Sequence, residues 1–239
     1  MPASNGCRTE PFQLPRVVPA RRKKNLRAAN GSILAASMRN AWNPLRSATS
    51  MANEEALELM RSAWATRRAS FDAAPAEKRA LMTRAKKDLA TAVEMCREGG
   101  SPVSHAQAVH LLANVELDMG HEDRARSLWE QAVSILRETD AVLQLAHKVR
   151  HLGDLHRHCG RLGDAESCYS EALALYREHD GPGSLDFANA VSRMADLKER
   201  RGDSVQALSL WRETRDLYAA VDLAPGVAEA ERHMERLTP

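Results

Sequence analysis

Aromatic residues are scarce in this chain: three Phe, three Tyr and four Trp in 239 residues. Ala, Leu, Arg and Glu are plentiful instead, and their side chains lose little rotamer freedom in a helix, so the composition favours helices over sheets. Cysteine is sparse too. Cys7, Cys96, Cys159 and Cys168 stand far apart with no CxxC, which argues against a structural zinc site or a disulfide framework and fits a reducing, cytoplasmic compartment. No apolar run approaches the roughly 20 residues of a membrane span, and the longest candidate, "GSILAASM", is a short patch in a polar region. An excess of one charge is missing as well: 34 Lys and Arg face 32 Asp and Glu, for a net +2. A general polyanion binder would carry a basic excess, so no nucleic-acid partner is expected. There is no GxSxG, no P-loop and no GxGxxG. His158 and Cys159 are sequence neighbours, so on a helix they point about 100° apart and cannot act as a base–nucleophile pair. The chain therefore reads as no enzyme, with no cofactor.

What charge asymmetry exists is at the start. Residues 1–50 hold nine Lys or Arg and one acid, Glu10, among prolines and small residues. Residues 1–52 read as a disordered basic tail. Three explanations stay open: a transit-like peptide of the mitochondrial type, a weak anionic-surface arm through "RRKK", or an extension foreign to the natural protein. Met51 opens "MANEEALELM", which looks like a natural start, with Asn53 suited to cap a helix and Glu54 and Glu55 to its first turn.

Downstream the sequence repeats. Gly120, Gly160 and Gly202 superpose at spacings of 40 and 42 residues. Five residues past each stand Ala125, Ala165 and Ala207, then Trp129, Tyr169 and Trp211, then Ala132, Ala172 and Thr214. Eight residues before each glycine stands Leu112, Leu152 or Met194, followed by a small residue, Ala113, Gly153 or Ala195. Asp140, Asp180 and Asp222 close the units. This is the pattern of a helical hairpin. The glycine ends one helix in a left-handed conformation. Small residues let the second helix approach, and the large residue one turn on fills the gap. One hairpin cannot bury its own apolar stripe, so hairpins must stack.

These residues resemble the tetratricopeptide repeat, and the long period together with "LDFANAVSRMADL" is similar to its kinesin light chain branch. The resemblance covers 104–222, as repeats 104–142, 143–183 and 184–222. His156 stands where a Tyr is usual, and the Pro that commonly closes a unit is missing. The implied fold is an all-α, right-handed α-solenoid. Residues 53–98 read as a degenerate helical pair at one end, with Leu57, Met60, Trp64 and Phe71 as one apolar stripe and Pro75 opening the second helix. Residues 225–237 read as a capping helix at the other end.

The resemblance implies that the first helix of each pair lines a concave groove. Helical geometry then selects Gln107, His110 and Asn114 (with Leu111) from the first repeat. His147, Arg150, His151, Asp154 and Arg157 come from the second, and Asn189, Arg193 and Asp196 from the third. The stripe is polar and rich in donors that suit an extended peptide. A carboxylate clamp of the family's kind is disfavoured, since only Asn114 and Arg193 match its pattern. His147 and His151 lie one turn apart and could chelate a metal, but a third ligand, Asp154 or His110, would be needed. No metal is assigned. Histidines of ordinary pKa would make the groove more positive on acidification. The expected function is a non-catalytic interaction scaffold for a protein or peptide ligand. The alternatives are a self-associating homo-oligomeric stack, or a regulatory sensor acting with a separate effector.

Overall fold

The computed structural model describes residues 51–180 and 183–238, and among these it contains nine helices and no strand. They are α1 (Met51–Ser70), α2 (Pro75–Gly99), α3 (Pro102–Asp118), α4 (Glu122–Arg137) and α5 (Val142–His158), followed by α6 (Leu162–His179), α7 (Leu185–Arg200), α8 (Ser204–Ala220) and α9 (Ala224–Leu237). Each helix packs on its sequence neighbours, giving four hairpins and a terminal helix stacked as a right-handed α-solenoid. The basic tail expected over 1–50 lies outside the described residues. None of the described helices is long and apolar enough to cross a membrane.

The three repeat turns are built alike. Gly120, Gly160 and Gly202 have φ of 84°, 73° and 79°, a region that side chains with a Cβ avoid. The residue after each, His121, Arg161 or Asp203, donates its N–H to the carbonyl five residues back, at 2.9, 2.8 and 3.0 Å. This ties off the helix end and reverses the chain. Asp203 then caps α8 by accepting from Gln206 N–H at 3.1 Å.

Inside each hairpin, the small residues and the large one interlock. Ala113, Ala125, Ala165, Ala195 and Ala207 are fully buried, and Trp129, Tyr169 and Trp211 are at most 3 % exposed. In the second repeat the small residue is a glycine and the contact leaves no room for a side chain. A Cβ placed on Gly153 would lie 2.7 Å from the Tyr169 ring and 3.0 Å from Cys168 Cβ.

Ion pairs mark the joints between hairpins. Glu116 of α3 has no exposed side-chain surface and is held by Lys86 of α2 at 2.9 Å, His121 at 2.6 Å and Arg124 at 2.9 Å. His158 of α5 lies 3.5 Å from Glu122 of α4. Glu166 of α6 accepts from Lys198 at 2.5 Å and from Arg201. At the far end, Glu199 of α7 receives Trp211, His233 and Arg236, and His233 stacks on Trp211 at 3.9 Å.

Some expectations need correction at the first hairpin. Helix α1 already runs from Met51, so Asn53 is a buried first-turn residue and does not cap it. Leu57 and Met60 are core, but Phe71 lies past the helix end and is 49 % exposed, so it does not extend the stripe.

Two measurements test this packing. Gly153→Ala should destabilise the fold by about 1–3 kcal/mol, because the added methyl overpacks the Tyr169 contact. Gly163→Ala, a helical position with no atom within 4 Å of its Cβ, should be neutral or stabilising by up to about 1 kcal/mol. Equal melting temperatures for the two variants would refute the interlock. The second concerns acid. Burial pushes the Glu116 carboxyl up, but hydrogen bonds from His121, Lys86 and Arg124 outweigh it and hold the group below its ordinary 4.5. Hydrogen bonds from Lys198 and Arg201 lower Glu166 likewise. A lowered folded pKa gives stability that is present above the unfolded value and lost as pH falls through the folded one. Urea midpoints should therefore drop below about pH 4.5, and Glu116→Gln should flatten that drop.

Candidate functional site

The first helices α1, α3, α5 and α7 form one row, and their side chains touch across every gap. Arg67 of α1 donates to Asp118 of α3 at 2.5 Å. Between α3 and α5, Lys148 Nζ donates to Gln107 Oε1 at 2.5 Å, and the His110 ring lies 5.8 Å from His147 and 4.9 Å from His151. Between α5 and α7, His147 Nδ1 lies 3.6 Å from Asp186, Arg193 lies 3.5 Å from Asp154, and Arg157 donates to Asp196 at 2.7 Å. The candidate residues thus meet in one continuous polar row, held at α-helical register by the hairpins beneath.

The second helices reach into this row. Tyr169 of α6, the large member of the packing pattern, donates its hydroxyl to Asp154 at 2.8 Å and accepts from Arg157 Nε at 3.2 Å. Tyr218 of α8 donates to Asn189 Oδ1 at 2.9 Å. These contacts revise the picture of an open face. Asn189 is buried and its carbonyl is engaged inside its own hairpin. Gln107 and Arg150 are also buried, Arg150 at 4 % exposure, so they belong to the floor. Leu111 is a core residue. Asn114 donates to the His110 carbonyl one turn back, and Asp196 also accepts from Arg200. Arg193 keeps 42 % of its side-chain surface exposed, more than Arg150 or Arg157 beside it.

Lys148 was not selected by the helical count, yet it sits at the centre of the row at 2 % exposure. Its position between His147 and Val149 gave no signal, since a lysine beside an apolar residue commonly extends its stem to water. Here burial pushes its pKa down to about 7, with Asp186 resisting and Arg150 adding to the fall.

The histidines do not titrate as expected from ordinary imidazoles. Burial pushes His147 down to about 4, against the pull of Asp186 and with the help of Lys148 and Arg150. His110 and His151 are lowered well below 6.5, by burial first and then by neighbouring cations, Lys148 foremost for His110 and Arg150 for His151. These three imidazoles therefore add no charge to the row as pH passes through 6.5. Three nitrogens in the row, His110 Nδ1, Arg150 Nε and Arg193 Nε, are buried and make no hydrogen bond among the described residues, although Arg193 Nε lies within ion-pair range of Asp154 Oδ1 at 3.5 Å.

Comparison with known proteins agrees with this architecture. The tetratricopeptide repeat family model matches residues 143–220, the second and third repeats. The apo form of RapI superposes with a TM-score of 0.68 at 13 % identity, over 91 % of this chain and 73 % of that one. A putative kinesin light chain from Podosopora anserina, with nearly identical TPR-like repeats, gives 0.62 at 15 % identity, over 80 % and 87 %. A Rap protein complexed with Competence and Sporulation Factor gives 0.62 at 13 % identity, over 79 % and 55 %. No curated protein matches the chain.

The lowered imidazoles predict a second pH window. Each is harder to protonate folded than unfolded, so the unfolded chain binds more protons below 6.5. Stability should be full above that value and fall on acidification, by up to about 1.4 kcal/mol per pH unit per histidine. For His147 the fall ends near pH 4, and His147→Gln should flatten the curve between pH 6.5 and 4 without touching the lower window. A curve unchanged by His147→Gln would contradict the assignment.

Proposed function

We propose that this chain, whose residues 143–220 are tetratricopeptide repeats of the kinesin light chain-like kind, is a non-catalytic protein-interaction module. It takes an extended peptide segment or a partner helix along the row of α3, α5 and α7. The observation that carries this reading is the Arg193 guanidinium, half-exposed on the row, whose Nε makes no hydrogen bond and has only a loose 3.5 Å ion pair with Asp154. Leaving a buried donor unpaired costs about 1–3 kcal/mol. A carbonyl or carboxylate laid on the row supplies the missing acceptor, and guanidinium groups bind carboxylates with charge-assisted hydrogen bonds. Arg193, Asn114 and His151 form the accessible part of the row, and Arg150, Gln107 and Asn189 hold it from below. The likeness to a Rap protein solved with Competence and Sporulation Factor supports a partner-binding use of the same architecture.

A non-catalytic reading is supported by two of the thiols. Burial raises Cys96 to about 11, and burial with Glu171 and Asp164 raises Cys168 to about 11, so both are protonated and unreactive at neutral pH.

Peptides selected on the full chain from a random display library test the proposal. Those that bind should be enriched in Asp and Glu. Arg193→Ala, at a half-exposed position that spares the core, should weaken them roughly tenfold, as expected for loss of one charge-assisted hydrogen bond. Peptides whose affinity is indifferent to Arg193→Ala and Asn114→Ala would place binding elsewhere.

A further inference from the structure

We infer that His110, His147 and His151 form a three-imidazole site for a divalent transition-metal ion, with Zn2+ the best fit to the donors. The site shares His151 and Arg150 with the row of the peptide-binding proposal but rests on separate observations. Its geometry comes from two adjacent repeats. His147 and His151 are one turn apart on α5, with ring centroids 4.6 Å apart, and His110 is brought to them from α3 by stacking of the first two repeats. One ligand atom from each of the three lies within 4.8 Å of the others. Tetrahedral zinc with Zn–N bonds near 2.0–2.1 Å needs about 3.3 Å between ligand atoms. Ring rotations that close the cluster by about 1.5 Å therefore suffice.

The surroundings orient two of the rings for this. His147 Nδ1 faces Asp186 Oδ1 at 3.6 Å, and His151 Nδ1 faces Asp154 Oδ2 at 3.6 Å. A carboxylate behind Nδ1 that closes to hydrogen-bond distance when the rings turn toward the metal favours the tautomer that leaves Nε2 as the ligand, the usual second layer of a histidine metal site. His110 Nδ1 is buried and has no hydrogen-bond partner among the described residues, although its ring is 4 % exposed and polar. A metal bond satisfies it. Trp129 of α4 stands behind His110 at 6.1 Å between ring centroids and closes that side with apolar surface.

Two cations adjoin the site. Lys148 Nζ is bound to Gln107, and Arg150 divides between Asp154 at 3.3 Å and His151 Nε2 at 3.1 Å. Their charges are offset by Asp154 and Asp186. Metal binding requires Arg150 to give up His151 and keep Asp154. Burial keeps the imidazoles neutral at neutral pH, so binding need not displace protons from them.

The test is a Co2+ titration of the full chain at neutral pH, followed by visible absorption, with Zn2+ competition. The expected result is a saturable tetrahedral Co2+ spectrum with one ion per chain, abolished by Zn2+. His147→Gln should weaken Co2+ roughly tenfold or more and Asp186→Asn roughly tenfold, while His158→Gln, outside the cluster, should leave it unchanged. Because changes at the buried His110 could disturb folding, imidazole NMR signals of the unaltered chain provide the second readout. Zn2+ should shift His110, His147 and His151 and leave the other histidines in place. Absence of a saturable spectrum, equal affinity in His147→Gln, or shifts confined to other histidines would overturn the site.

Discussion

The contact between a small residue on one helix and a large aromatic one on the next sets the dimensions of this molecule. Gly153 against Tyr169 is one instance with no room for even a methyl group, and Gly226 of α9 against Tyr218 of α8 is another. Ala113 with Trp129 and Ala195 with Trp211 occupy the same places in the other repeats. Once two helices approach that closely, their remaining apolar stripes have nothing left to cover them except the next hairpin. Stacking is then the only way to bury the core, and the first helices are brought into a row.

The same contact links core and groove. An aromatic ring filling the space between helices carries its polar tip through to the other side. Tyr169 delivers its hydroxyl to Asp154 and Arg157, and Trp211 delivers its indole N–H to Glu199. In the second repeat, the groove carboxylate Asp154 is thus positioned from beneath by the packing residue Tyr169 itself. This explains why the row is ordered as a network and not as a set of independent solvated side chains. It also explains the electrostatics. Side chains held this closely between stacked helices lose water, so imidazoles and Lys148 are driven toward their neutral forms, while the guanidinium groups keep their charge and seek acceptors.

Much of the architecture was readable from residue spacing because its causes are local. A glycine at the end of a helix, a capping Asp203, and alanines and aromatics at fixed offsets act within one hairpin, and three copies in one register reinforce each other. The first hairpin shows where this fails. A single unrepeated segment let Asn53 look like a cap and Phe71 like core, because nothing in phase with them supplied a check. In the groove, the helical count gathered Gln107, His110, His147, His151, Asp154, Arg157 and Arg193 onto one row. It had no means of telling which would end as floor, such as Arg150 and Asn189, since depth depends on neighbouring helices.

What the sequence alone determined is the hairpin, its turn, its packing face and the order of the stack, all consequences of side-chain size and backbone freedom over a span of about forty residues. What only the tertiary structure decided is the meeting of His110 with His147 and His151, the burial of Lys148, and the pairing of Arg157 and Arg193 with carboxylates across the α5–α7 gap. Those depend on distances between residues some forty positions apart. Such distances are set by how closely whole hairpins dock, a property of their combined surfaces that no local pattern encodes.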